Sequence, residues 1–165
     1  MIPFITGSNF CTSSGLLTAT GGETVHDTTV TITFCINGKA YTKTAITDGA
    51  TPTTDHVTGA AFVGLVGTAS GGGQGCTFVW CLNASGTVKV IQGPVIALNA
   101  SGDFAPVGAP QFPQIPSDVV PFAYMVSKHY GQGSTFTFGS SNWNISGYSH
   151  AIQNILVLPN RPQAS

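Results

Sequence analysis

From Thr29 to Ile36 the chain reads Thr-Val-Thr-Ile-Thr-Phe-Cys-Ile, with β-branched or aromatic residues alternating with threonine up to an Asn37-Gly38 pair. A period of two over that length predicts a half-buried strand, and Asn-Gly after it predicts a hairpin with a two-residue turn. With a type I′ turn, Phe34 pairs with Tyr41, Thr33 with Thr42 and Ile32 with Lys43, so Phe34 and Tyr41 share a face. Lys39 and Lys43 fall on that same side. Their stems must then cover apolar surface while their ammonium groups reach water, which places the hairpin near a sheet edge.

A second group of strands is predicted at Cys76–Leu82, Thr87–Ile91 and Val95–Leu98, arranged as a meander. Leu82-Asn83-Ala84-Ser85-Gly86 recurs as Leu98-Asn99-Ala100-Ser101-Gly102, with Asn and Gly placed where a strand reverses. Both copies and Asn144-Ile145-Ser146 match the glycosylation pattern, but turn chemistry accounts for the residues without it. Gly71–Gly75 reads as a mobile surface loop. Between Ala105 and Phe122 the pattern changes, because Pro106, Pro110, Pro113, Pro116 and Pro121 forbid a helix and interrupt any central strand. Residues 105–121 thus read as an extended arm whose Phe112, Ile115, Val119 and Val120 need cover from the core or from a neighbour. Further strands follow at Phe122–Val126, Thr135–Phe138 and Ile152–Leu158, for a total of about eight to ten. The expectation is an all-β chain, a single-domain, jelly-roll-like β-sandwich over residues 1–165 with an extended N-terminal segment at 1–22.

Composition adds a constraint on the surface. Only 7% of the 165 residues are charged, against roughly 25% in ordinary domains, while 42% are hydrophobic. Thr, Ser, Asn and Gly must therefore cover the exterior, giving a surface tolerant of salt and pH but with little repulsion between copies, as suits part of an assembly. Net charge is -1, without a basic cluster, which argues against binding nucleic acid. Mean hydropathy is +0.24, yet the longest apolar stretches, around Ala60–Val66 and Val119–Val126, fall far short of the roughly 20 residues that span a membrane. No secretion leader is read in Met1–Gly7. The four cysteines, Cys11, Cys35, Cys76 and Cys81, are expected as buried free thiols, with Cys76 and Cys81 on opposite faces of one strand.

Candidate chemistry is sparse. No nucleophile elbow or phosphate-binding loop occurs, and the six acidic residues, Glu23, Asp27, Asp48, Asp55, Asp103 and Asp118, lie apart in turns and loops. His26, His56, His129 and His150 lack ligand spacing and are expected to face solvent or to be locally hydrogen-bonded. The reading is of a protein that is not an enzyme and needs no cofactor or metal. Trp80 belongs to the core. Trp143, in Ser140–Asn144, is the better candidate for a contact residue. Tyr130 and Tyr148 could join the tryptophans in a sugar-stacking surface.

The strings FPQIPSDVVPFAYMV, STFTFGSSNWN and LPNRPQ between Phe112 and Gln163 resemble small virion structural proteins of tailed bacteriophages, particularly capsid decoration or cement proteins. The resemblance implies a β-rich homotrimer that binds the major capsid protein on the outer surface of the head, after assembly in the host cytoplasm, and stabilises the shell. It transfers no invariant functional residue. Residues Phe4 and Phe10 of the N-terminal segment, Phe112 and Ile115 of the arm, and Trp143 are the expected subunit or capsid contacts. Deleting residues 1–22 is expected to remove attachment and leave the fold intact. The alternative is a receptor- or carbohydrate-binding β domain at a tail tip or fibre.

Overall fold

The computed structural model describes residues 9–104 and 108–163, which form thirteen strands and no helix. In chain order these are β1 (Phe10–Cys11), β2 (Leu17–Thr18), β3 (Val25–Thr28), β4 (Ile32–Ile36), β5 (Lys39–Lys43), β6 (Ile46–Ala50) and β7 (Leu65–Val66). They continue as β8 (Gly73–Asn83), β9 (Val88–Gln92), β10 (Ile96–Leu98), β11 (Val119–Tyr130), β12 (Thr135–Phe136) and β13 (Tyr148–Asn154). All pairings are antiparallel and build four sheets: β1-β4-β5, β2-β3-β6, β7-β12, and a five-stranded sheet centred on β8 and β11. The fold is all-β, with antiparallel sheets packed together in a sandwich-like arrangement.

The hairpin has the expected register, Phe34 opposite Tyr41, Thr33 opposite Thr42 and Ile32 opposite Lys43. Both turn residues take positive φ, Asn37 at 50° and Gly38 at 79°, the type I′ geometry that matches the twist of the strands. Phe34 and Tyr41 stack at 5.6 Å, and Lys39 Nζ lies 5.4 Å from the Tyr41 ring centre. The strand does not begin at Thr29, however. Val25–Thr28 forms β3 in a different sheet, with a register shift between His26 and Thr28, after which Thr28 still pairs with Ile46.

β8 and β11 are buried on both faces, which is why Cys76–Leu82 is continuously apolar instead of alternating. On one face Phe78, Trp80, Leu82, Phe122 and Met125 meet Ile32, Phe34, Leu65, Phe136, Phe138 and Trp143. Each such large apolar side chain contributes roughly 2–3 kcal/mol on burial. On the other face Val79, Cys81, Ile91, Tyr124 and Val126 are covered by Phe104, Phe112 and Ile115 together with Ile155 and Leu158 of the C-terminal tail. Cys76 and Cys81 belong to opposite faces, and all four cysteines are free, with Cys35 only half-buried.

Several boundaries differ from the sequence reading. β8, β9 and β10 are not a meander, because β9 and β10 both pair with one edge of β8. Their registers are displaced by one residue across Gly93-Pro94, where proline cannot donate to the ladder and Gly93 N–H still bonds Thr77 O at 2.7 Å. Gly73–Gly75 is strand, not loop: a Cβ at Gly73 would collide with the His129 carbonyl, so glycine here permits close backbone approach. Pro121 lies inside the central strand β11, accommodated by a register shift between Pro121 and Ala123. β13 begins at Tyr148 and ends at Asn154, leaving Ile155–Leu158 as tail, and β12 stops at Phe136.

The N-terminal segment is extended but is not a free arm where it is described. β1 pairs with β4 and β2 with β3, while Cys11, Leu17 and Ala19 are buried in the core. Residues 9–22 are thus part of the fold, which corrects the expectation that deleting residues 1–22 leaves it intact. The repeated turns match each other in detail. Asn83 Oδ1 accepts from the Ser85 and Thr87 amides, and Asn99 Oδ1 from the Ser101 and Asp103 amides.

Candidate interaction surface

Three exposed apolar side chains gather where β1 meets the C-terminal tail. Phe10 is 37% exposed, Leu156 47% and Val157 67%. The Cys11 amide donates to Leu156 O at 2.9 Å, which ties the tail alongside β1. One residue earlier, Asn9 donates from Nδ2 to Ser117 O at 2.9 Å and Val119 O at 2.7 Å, and its Oδ1 accepts the Asn37 amide at 3.0 Å. A single side-chain amide therefore links the N-terminal segment, the hairpin turn and the end of the Pro-rich arm.

Two hollows flank this point. One, of about 360 Å³, is lined by Asn9, Ile115, Pro116, Val119, Val157 and Leu158 among others. The other, of about 400 Å³, lies on the outer face of β1-β4-β5 with Phe10, Thr12, Thr33, Cys35, Ala40 and Thr42 in its lining. Among the described residues no charged side chain lines either one. The surface follows from the alternation itself: the outer face of β1, β4 and β5 carries Phe10, Thr33, Cys35, Ala40 and Thr42, while Lys39 and Lys43 fall on the opposite face.

Of the expected contact residues, Phe10 lines one of these hollows and Ile115 the other. Phe112 is half-buried elsewhere, edge-on to Tyr124 at 5.0 Å, so its main partner is its own sheet. Trp143 is 3% exposed, and its Nε1 donates to Val25 O at 2.8 Å. This corrects its reading as an outward contact: the Phe136–Phe138–Tyr148 cluster gives the indole more apolar contact than solvent could. Phe4 lies outside the described residues. Leu156 and Val157 were missed because the apolar run Ile152–Leu158 reads as one strand, whereas pairing ends at Asn154.

Polar groups elsewhere serve the fold. His129 is buried, with Nε2 3.0 Å from Ser134 Oγ and 3.1 Å from Ser134 O, and His56 Nε2 lies 3.1 Å from Asp118. His26 is buried rather than solvent-facing, its ring 4.9 Å from that of Trp80, and desolvation pushes its pKa down to about 4. Burial pushes the Cys11 and Cys76 thiols up to about 12, which makes them poor nucleophiles at neutral pH. Among the described residues no group of three or more His, Cys, Asp or Glu side chains could hold a metal ion. Protein-family models, curated proteins and solved structures were compared with the chain, and none matches.

Proposed function

We propose that the protein is a structural component of a virus particle, a decoration or cement protein that binds the outer surface of a phage head and stabilises the shell. The observation that carries this reading is the set of exposed apolar side chains Phe10, Leu156 and Val157 beside two hollows with no charged lining residue, on a body made of packed sheets. An apolar contact core depleted of charge is what a lasting protein interface requires, and it keeps its strength as salt changes. The scarcity of charge elsewhere and the resemblance of the Phe112–Gln163 strings to decoration proteins support the same partner, the major capsid protein, with self-association into homotrimers. The protein would then act without cofactor or catalysis, at the virion exterior after assembly in the host cytoplasm. The tail-tip glycan reading has less support: Trp80, Trp143 and Tyr148 are not available for stacking, and Tyr130, 39% exposed, is the remaining candidate of that group.

Mature heads stripped of bound protein provide the test. Saturable binding that persists at high salt and raises the heat resistance of the heads is the expected result, and Val157→Asp should abolish it while leaving the thermal unfolding midpoint of the free protein unchanged. Binding that disappears with salt, or that Val157→Asp leaves intact, would reject this surface as the contact.

A further inference from the structure

Asn37-Gly38 is the only Asn-Gly pair in the chain; every other asparagine is followed by a residue with a side chain. An asparagine before glycine is open to attack on its own side-chain amide, because no Cβ on the next residue shields the peptide nitrogen. Exposure favours that reaction here. Asn37 and Gly38 both face solvent, and a Cβ at Gly38 would meet nothing within 4 Å. Among the described residues the Gly38 amide donates to no acceptor, so the attacking nitrogen is not tied up.

The turn geometry opposes it. A type I turn holds its first central residue near a ψ of about -30°, so the mirror-image I′ turn holds Asn37 near about +30°. At that angle the Gly38 nitrogen lies nearly anti to Cβ across the Cα–C bond, out of reach of Cγ. Closing the five-membered ring needs the two eclipsed, a rotation of roughly 150° from the turn geometry. The turn must therefore open before the bond can react. What holds it shut comes from elsewhere in the chain: Asn9 Oδ1 accepts the Asn37 amide at 3.0 Å, while Asn9 Nδ2 is anchored on Ser117 O at 2.9 Å and Val119 O at 2.7 Å. Asn37 Nδ2 reaches towards the same Ser117 O at 3.5 Å.

We propose that Asn37-Gly38 is a site of spontaneous deamidation gated by Asn9, reacting when that side chain lets the turn go. The Gly38 nitrogen bonds to Asn37 Cγ, the Cγ–Nδ2 bond breaks, and Nδ2 leaves as ammonia with the proton from Gly38. Water then opens the cyclic imide, giving aspartate or, with the backbone rerouted through Cβ and Cγ, isoaspartate. The reaction needs no partner other than water. Its product sets a carboxylate oxygen where Nδ2 faced the Ser117 carbonyl, and adds a charge beside the uncharged hollow that Gly38 helps to line. Both changes loosen the junction of hairpin, N-terminal segment and Pro-rich arm, so the modification marks the age of the protein at the edge of its apolar surface.

The test keeps the full chain in mildly alkaline buffer and follows the tryptic peptide ending at Lys39 by mass spectrometry, with fragmentation placing the amide-to-acid mass gain. Asn37 should convert at least about tenfold faster in urea than in the folded protein, since reaction follows the open population. Asn9→Ala should speed conversion in the folded protein by about threefold or more while the β8 amides stay protected from hydrogen exchange, which separates local opening of the turn from global unfolding. Folded and urea-treated chains converting at one rate, no conversion at Asn37 in either, an Asn9→Ala rate equal to the parent's, or acceleration only with loss of β8 protection would each overturn the gate.

Discussion

The Asn9 side chain holds the Asn37 amide at 3.0 Å, so the turn of the hairpin is fastened to a residue twenty-eight positions earlier. The same side chain also donates to two carbonyls at the end of the Pro-rich arm. Asn9→Ala removes these bonds from groups that water can partly satisfy and should destabilise the fold by about 0.5–1.5 kcal/mol. Hydrogen exchange at the Asn37 amide should accelerate more than exchange in β8, and equal protection of both in the variant would count against this role.

The segment before Gly22 is predicted to be essential for folding. Removing residues 1–22 takes away the β1 partner of β4, the β2 partner of β3 and three buried core residues. Such a truncation should lose cooperative thermal unfolding. A sharp transition near the parent midpoint would show that the segment is dispensable to the body.

Glycines at different places should respond differently to the same methyl group. Gly73→Ala puts a Cβ into the His129 carbonyl and should cost about 2–4 kcal/mol, because backbone must move. Gly131, with φ of 70° and open space around it, should lose only about 1 kcal/mol as alanine, through backbone strain alone. Denaturant midpoints of the two variants provide the comparison.

Stability should depend on pH through His26. Burial is the main cause of its low pKa of about 4 against an ordinary 6.5; the nearby Asp27 charge and the Gly49 backbone oppose the shift, and Lys43 adds to it. The unfolded chain therefore binds a proton that the folded one refuses. The stability from keeping this imidazole neutral is fully present above about pH 6.5 and is lost as pH falls towards 4. The thermal midpoint should drop between pH 7.5 and pH 4.5, and His26→Leu should reduce that drop. His150, also lowered by burial, acts in the same direction and leaves a residual slope.

Local chemistry made the hairpin readable down to its register, because Asn-Gly at positive φ and strict alternation act between neighbours in the chain. The two Asn-x-Ser-Gly turns were legible for the same reason. The interaction surface was legible in part: Phe10 and Ile115 were named, while Leu156 and Val157 were absorbed into a strand whose last paired residue depends on β11.

By itself, the sequence determined an all-β chain, a surface nearly free of charge and the places where the chain turns, since each depends on composition or on residues close in sequence. Only the tertiary structure decided that Gly73–Gly75 is strand, that Pro121 sits within a central one, that Trp143 faces inward and that residues 9–22 belong to the body. Those outcomes turn on close approach and burial between distant segments, and the energy of such contacts depends on which neighbour arrives, not on the pattern along the chain.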